Sequence, residues 1–235
     1  VIDPAIVGRL GFFGQSSKIS ETDFNMLTII SFTLGPVMTN SYLISDADTG
    51  EAVVIDPADE GHLIVEGAKK RGWRITNIWL THAHFDHLGG AASVADESSP
   101  PTPVALHPDD YPLWHAQGGA LLFGMHIDPG PEPSIDLQHG QILHLGNNQF
   151  EVRHAPGHTN GHVMFYCEKA KVLFCGDVIF QGSIGRTDLP GGDFDTLIKS
   201  IRTQVLTLPD DTRLLCGHGP ETTVGRERSY NPFLK

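Results

Sequence analysis

The sequence predicts a single layered α/β domain, and three observations carry that prediction. Apolar runs joined by tight turns read as hairpins: ILHL and FEVRHA flank Gly146-Asn147-Asn148, and HVMFYCE and KVLFCGD flank Lys169-Ala170. Other apolar runs alternate with amphipathic segments in strand–helix order. No low-complexity tract or linker divides the 235 residues.

Taken in order, residues 1–25 show no clear period and carry the polar stretch GQSSKISETD, so they read as an N-terminal extension. Residues 26–235 form the domain. The run MLTIISFTL is a strand ended by a turn at Gly35-Pro36, and SYLIS and AVVIDP are the next two. Over residues 60–72, Leu63, Ile64, Ala68 and Lys69 recur at helical spacing, and Gly72 ends the helix. ITNIWLTH is a strand, and Ala91, Ala92, Val94 and Ala95 predict a short helix before the Ser-Ser-Pro-Pro turn at 98–101. Residues 116–134 are rich in Gly and Pro, the mark of a functional or mobile loop. Its apolar centre, Leu121, Leu122, Phe123 and Met125, suggests a flap over a substrate, or else a segment packed on the core. A helix over 194–206 and the strand TRLLCGH complete the pattern.

Composition narrows the function. With 28 acidic against 16 basic residues, the chain lacks the basic surface that nucleic acid requires. No apolar stretch is long enough to span a membrane, and the first residues lack a signal-peptide pattern. Cys167, Cys175 and Cys216 are few, odd in number and within or at the end of apolar runs. They read as buried structural thiols, which favours a cytoplasmic location.

The chemistry concentrates in Thr81-His82-Ala83-His84-Phe85-Asp86-His87. Residues two apart in an extended segment face one side, so His82 and His84 converge on one ion. Asp86 and His87 fall where the chain turns into a helix and can address a different ion. Imidazole and carboxylate suit zinc and iron. IWLTH, FEVRHAPGH, VLFCGD and RLLCGH are each an apolar strand with a potential ligand at its end, which adds His158, Asp177 and His218. Gly157, Gly176 and Gly217 beside them let backbone approach a crowded site. His62, His107, His139, His144 and His154 have no ligand-like spacing; His115 and His126 bracket the long loop.

THAHFDH resembles the THxHxDH signature of the metallo-β-lactamase superfamily, and APGHTNGH, FCGD and CGHG follow in the same order. QGSIGRTDLPGGD and GHGPETTVGRERSYNPFL are similar to small bacterial glyoxalase II-like (hydroxyacylglutathione hydrolase-like) proteins. The resemblance implies a four-layer αββα sandwich and two divalent transition-metal ions, zinc foremost, with iron or manganese as alternatives. His82, His84 and His158 would hold the first ion, and Asp86, His87 and His218 the second, with Asp177 bridging. The implied reaction is hydrolysis of a small-molecule thioester of hydroxyacylglutathione type by a metal-bridging hydroxide. Asp86 is the candidate catalytic proton acceptor.

The same resemblance puts Asn40, in the Met38-Thr39-Asn40 loop, at the substrate groove with Phe123 and Arg186. Arg186 and Asp188 would orient a ligand imidazole, with a loop-bracing ion pair as the alternative. The segment after His218 is shorter than in full-length glyoxalase II, which predicts broad thioester use rather than glutathione specificity. The rival from a different class is a mononuclear iron persulfide dioxygenase using His82, His158 and Asp177, although Phe85 and Leu88-Gly89-Gly90 look more hydrolase-like. β-Lactam hydrolysis is less favoured because Asp177 stands where many such enzymes use Cys. A non-catalytic metal protein is also disfavoured, since seven ligands shared by two ions leave positions for water.

Overall fold

The structure, a computed structural model, describes residues 27–235. The predicted extension, residues 1–25, lies outside them. Two six-stranded sheets face each other. In the first, β1 (Leu27–Leu34), β2 (Thr39–Asp46) and β3 (Glu51–Ile55) form an antiparallel meander, and β4 (Arg74–Trp79), β5 (Val104–Leu106) and β6 (Ile135–Asp136) add on in parallel. The second contains β7 (Ile142–Leu145), β8 (Asn148–His154), β9 (Val163–Cys167) and β10 (Val172–Gly176) as antiparallel neighbours. Residues Ile179–Phe180 (β11) and Ser183–Ile184 (β12) make a separate two-stranded ribbon, and β13 (Arg213–Cys216) and β14 (Thr222–Thr223) close the second sheet beside β10.

Alternation along the strands builds the layers, because successive side chains point to opposite faces. In β3, Val53 and Ile55 enter the space between the sheets, whereas Ala52 and Val54 face outward into a cluster with Ile64 and Val65. Those two belong to α1 (Gly61–Lys69); α2 (Phe85–Leu88), α3 (Ala91–Ala95) and α4 (Tyr111–His115) follow, and all four contribute to this outer cluster. In β10, Val172 and Phe174 point between the sheets, and Leu173 and Cys175 point to the opposite outer layer. That layer is built on α5 (Phe194–Ser200), which runs on into a π-helical turn at Ile201–Val205, and on α6 (Val224–Tyr230). Helix, sheet, sheet, helix is the four-layer order expected.

The predicted elements recur with small shifts. The helix predicted over 60–72 ends at Lys69, and Gly72 takes the left-handed φ of 70° that suits it to the exit. The long loop is less free than its composition suggested. Residues Gln117–Phe123 form a short 3-10 segment kinked at Gly118 and Gly119. Gly118, at φ 63°, lies so close to the Phe85 backbone that a Cβ would stand 2.3 Å from Phe85 N. The loop's base is thus fixed on the motif, while Leu122 and Phe123 are 66% and 51% exposed rather than packed in the core. The three cysteines are free and buried, as expected. Among the described residues no helix is long and apolar enough to cross a membrane.

The centre between the sheets is aromatic. Trp79 meets Phe150 edge to face at 5.2 Å and Phe165 at 5.3 Å. Phe150 is fully buried. Phe150→Ala should cost about 3–5 kcal/mol, the range for truncating a buried aromatic. Urea denaturation measures it; a loss under 1 kcal/mol would contradict this account of the core.

Candidate metal centre

The strands β3, β4, β10 and β13 end at one rim, where the two sheets meet, and their last residues lead directly into the motif residues. Two groups of predicted ligands form there, beside a third that Asp56 makes with His82 and His87. His82, His84 and His158 make one, and Asp86, His87 and His218 make another. His84 Nδ1 and His158 Nε2 are 2.9 Å apart. His218 Nε2 is 3.3 Å and His87 Nε2 3.7 Å from Asp86 Oδ2. Asp177 touches both groups: Oδ2 lies 3.6 Å from His158 Nε2 and 3.5 Å from His218 Nε2, and Oδ1 lies 3.3 Å from His87 Nε2. All seven residues predicted as ligands are therefore brought together.

Hydrogen bonding fixes which ring nitrogen each histidine offers. Thr81 donates its backbone N–H and its hydroxyl to the two oxygens of Asp56, both at 2.7 Å. With its proton so used, Thr81 Oγ1 must accept from His82 Nδ1, 3.0 Å away. His82 Nε2 is then an unprotonated nitrogen, and it has no hydrogen-bond partner. His87 Nδ1 donates to Asp56 Oδ2 at 3.0 Å, which turns Nε2 toward Asp86 and Asp177. His158 Nδ1 donates to the Arg186 carbonyl at 2.8 Å and leaves Nε2 facing His84.

Buried polar atoms are ordinarily paired, so orphans call for a reason. His82 Nε2, His87 Nε2 and Asp177 Oδ1 are all buried without a hydrogen-bond partner, and all point into the groups above. Nitrogens around a tetrahedral zinc ion stand about 3.3 Å apart, from bond lengths near 2.0–2.1 Å. The spacings at the rim match, so this donor set fits one or two borderline transition cations.

The charges divide along the same line. Burial and neighbouring imidazoles push His82 well below its usual value and His84 down to about 3, so the first group is neutral. Burial would also lower His87 and His218. Asp177 and Asp86 outweigh it, holding His87 well above its usual value and His218 at about 9. Burial would raise the two carboxylates, but the adjacent His87 and His218 keep Asp86 at about 2 and Asp177 well below the usual range. Two protons thus balance two carboxylates in the second group.

Three expected substrate contacts are placed differently from one another. Phe123 lines a cavity of about 590 Å³ that opens over His84, Asp86, His158, Asp177 and His218, and its ring lies 5.3 Å from Phe85. Asn40 is not among the cavity's lining residues. Its carboxamide donates to the Cys216 and Gly219 carbonyls at 3.0 and 2.8 Å and accepts from Thr33 Oγ1, so it ties the sheets together instead. Arg186 lines the cavity, but its guanidinium forms a bidentate pair with exposed Asp188, both bonds at 2.8 Å. The group that orients the His158 imidazole is the Arg186 carbonyl, not the Arg186–Asp188 ion pair.

Four further residues shape the site; Asp56, His162 and Asp110 were not singled out from the sequence, and Thr39 was named only as part of the groove loop. Asp56 closes the apolar strand AVVIDP, the same strand-end signal that exposed the other ligands. His162 was visible within APGHTNGH; its ring stacks on His82 at 4.7 Å and its Nε2 accepts the Asp177 N–H at 3.0 Å. Thr39 donates its hydroxyl to Asp86 Oδ2 at 3.0 Å. Asp110 accepts from Ala83 N, Thr159 Oγ1 and Gly161 N, clamping the first motif loop to the second. No periodicity or motif marks Asp110.

A chain with this fold and this rim of histidines and carboxylates is a metal-dependent hydrolase, and comparison with known proteins fixes the family. The model of the metallo-beta-lactamase superfamily matches residues 34–218, and the chain belongs to that superfamily. It is 40% identical over 196 residues to the hydroxyacylglutathione hydrolase GloC of Haemophilus influenzae, covering 83% of this chain and 92% of that one. Among solved structures it is similar to BLEG-1, described as a B3 metallo-beta-lactamase (40% identity, TM-score 0.81, 88% of this chain and 100% of that one). It is also similar to TTHA1623 in a di-iron-bound form (41% identity, TM-score 0.79, 87% and 100%).

Asp56 offers a test of how the rim is organised. Asp56→Ala removes the acceptor shared by Thr81 and His87, and so frees the His82 and His87 rings to turn. Affinity for zinc, measured by competition with a chromophoric chelator, should fall about 10–100-fold. Unchanged affinity would show that packing alone orients the rings.

Proposed function

We propose that this chain hydrolyses thioesters of the hydroxyacylglutathione type at a two-ion centre. His82, His84 and His158 would hold one divalent transition-metal ion, and Asp86, His87 and His218 the other. The observation that carries the reading is Asp177, whose single carboxylate lies within 3.6 Å of imidazoles from both groups. The relative named as a hydroxyacylglutathione hydrolase supports the substrate class, and the di-iron-bound relative supports two ions. Imidazole and carboxylate donors suit zinc first, with iron and manganese as alternatives.

Two such ions supply a nucleophile at neutral pH by lowering the pKa of bound water, and they polarise a carbonyl oxygen. The chain's own residues do the rest. Phe85, Leu113, Leu122, Phe123 and Ile184 give the cavity an apolar wall for the thioester. The Arg186 carbonyl and Thr81 hold His158 and His82 in the tautomers that leave a lone pair facing inward, and Asp56 aims His87 Nε2 the same way. Asp86 lines the cavity and stays ionised, which fits a ligand first and a proton acceptor second. A thiolate is a good leaving group, so no separate general acid is required. The cationic side chain at the cavity wall, Arg186, is already paired with Asp188, which leaves weak provision for the carboxylates of glutathione.

Protein purified without chelator should contain close to two transition-metal equivalents by elemental analysis and should cleave S-lactoylglutathione. Asp177→Ala should lose metal and at least about 100-fold in rate. A single equivalent that added metal cannot raise, together with persulfide-dependent oxygen uptake, would overturn the reading in favour of an iron dioxygenase. Cleavage of β-lactams in preference to thioesters would overturn it in favour of the activity named for BLEG-1.

Metal uptake should also release protons. The ligands of the first group are neutral near pH 7, whereas His87 and His218, with raised pKa values, must lose a proton to bind. Calorimetric titration of metal-free protein in buffers of different ionisation enthalpy should show about two protons released with the second ion and almost none with the first. Affinity for the second ion should weaken as the pH falls from about 9, the value of His218. Equal release at both steps would contradict this division of charge.

A further inference from the structure

The turn that joins β1 to β2 brings a buried hydroxyl to the rim. Met38, in that turn, takes φ 62° although it is not glycine, and its side chain is exposed, so its own packing does not hold the strained conformation. The residues that follow it do. Thr39, 1% exposed, pairs with Leu34 to close the hairpin and forms an antiparallel bridge to His218 in the second half of the chain. Asn40 N–H donates to the Gly217 carbonyl at 2.7 Å. The Thr39 hydroxyl donates to Asp86 Oδ2 at 3.0 Å.

Thr39 therefore holds two of the three residues of the second group, Asp86 by its side chain and His218 by its backbone. These two come from different sheets, since Asp86 follows β4 and His218 follows β13. The oxygen that Thr39 holds is the one facing the group: Asp86 Oδ2 lies 3.3 Å from His218 Nε2 and 3.7 Å from His87 Nε2. A carboxylate oxygen has two lone-pair directions, so the hydroxyl takes one and leaves the other for a cation. Rotation about the Cβ–Cγ bond of an aspartate is soft, and without the Thr39 bond Oδ2 can leave that position. The first group is held by other means, with Thr81 orienting His82 and the Arg186 carbonyl orienting His158. Resting on the two-ion reading, we propose that Thr39 is a positioning residue that sets the affinity of the second ion and so decides, at limiting metal, whether the centre holds one ion or two. Its hydroxyl fixes the Asp86 oxygen and its backbone fixes His218, so it acts on the second ion and leaves the first alone. Loss of an outer partner of a metal ligand costs about 10–100-fold in affinity. Here that loss falls on one binding step of the two.

The test is the stepwise zinc affinity of the metal-free protein, measured by competition with a chromophoric chelator. Thr39→Val keeps the side-chain shape and the backbone bridge and removes the donor. Thr39→Ser keeps the donor and removes the methyl. In Thr39→Val the second affinity should fall about 10–100-fold while the first stays at the wild-type value. Thr39→Ser should restore the second affinity. A residue that only packs the hairpin gives a different pattern: both affinities fall together, the metal-free protein melts at a lower temperature, and Ser does not rescue. That pattern, or two unchanged affinities in Thr39→Val, would overturn the proposal. Should Thr39→Val fail to fold, Thr39→Ala read against Thr39→Ser makes the same comparison, since the two differ by the hydroxyl alone. Wild-type protein that takes up one equivalent only overturns the two-ion reading and the proposal with it. Two equivalents in the wild type with no selective loss in the variants overturns the proposal alone.

Discussion

The Asp56 carboxylate is the constraint on which the rim depends. It sits at the end of β3 with φ 50°, a left-handed conformation that a non-glycine residue adopts only when its surroundings hold it there. What holds it is a set of three hydrogen bonds, two from Thr81 and one from His87. Through Thr81 it sets the tautomer of His82, and directly it sets that of His87. One buried anion on the first sheet thereby fixes a nitrogen in each of the two groups. Asp110 does the corresponding work between loops, drawing Ala83 and Gly161 to one carboxylate. The order of the rim comes from these inner carboxylates, which never face the cavity.

Close approach of backbone completes the arrangement. Gly217 follows β13, and a Cβ there would stand 2.2 Å from Asp177 Oδ1 and 2.7 Å from the His87 ring. Gly176 is equally confined, with Thr81 Oγ1 at 2.5 Å from a built Cβ. A side chain at Gly217 would displace Asp177, the residue that touches both groups, and one at Gly176 would displace Thr81 and His162. The glycine that accompanies a ligand at a strand end is therefore part of the ligand geometry, because it lets the second sheet press its last peptide against the first sheet's histidines.

Much of this was legible in the sequence. Turn-bounded apolar runs such as AVVIDP and KVLFCGD marked the strands, and strand ends carrying His or Asp located the residues that meet at the rim. Asp56 obeyed the same strand-end rule and went unmarked because a single Asp before Pro also reads as a turn. Asp110 acts through contacts between segments distant in the chain, which no local pattern encodes; His162 lay within APGHTNGH, but its stacking on His82 was not legible there. Arg186 illustrates a different limit. A role for it in orienting a ligand imidazole was expected, yet the working atom is its carbonyl oxygen, which holds His158, and side-chain type carries no information about backbone acceptors. Asn40 likewise spends its carboxamide on backbone carbonyls across the sandwich.

The origin of the seven rim residues has a mechanical consequence. His82, His84, Asp86 and His87 follow β4 in the first sheet, whereas His158, Asp177 and His218 follow β8, β10 and β13 in the second. Each group therefore draws from both halves of the chain, and the seam is already stitched by Asn40 N–H to the Gly217 carbonyl at 2.7 Å and by the bridge between Thr39 and His218. A cation coordinated at this rim is a rivet through two plates. Its binding energy counts directly toward keeping the sheets docked, and any force that shears the plates must first extract it.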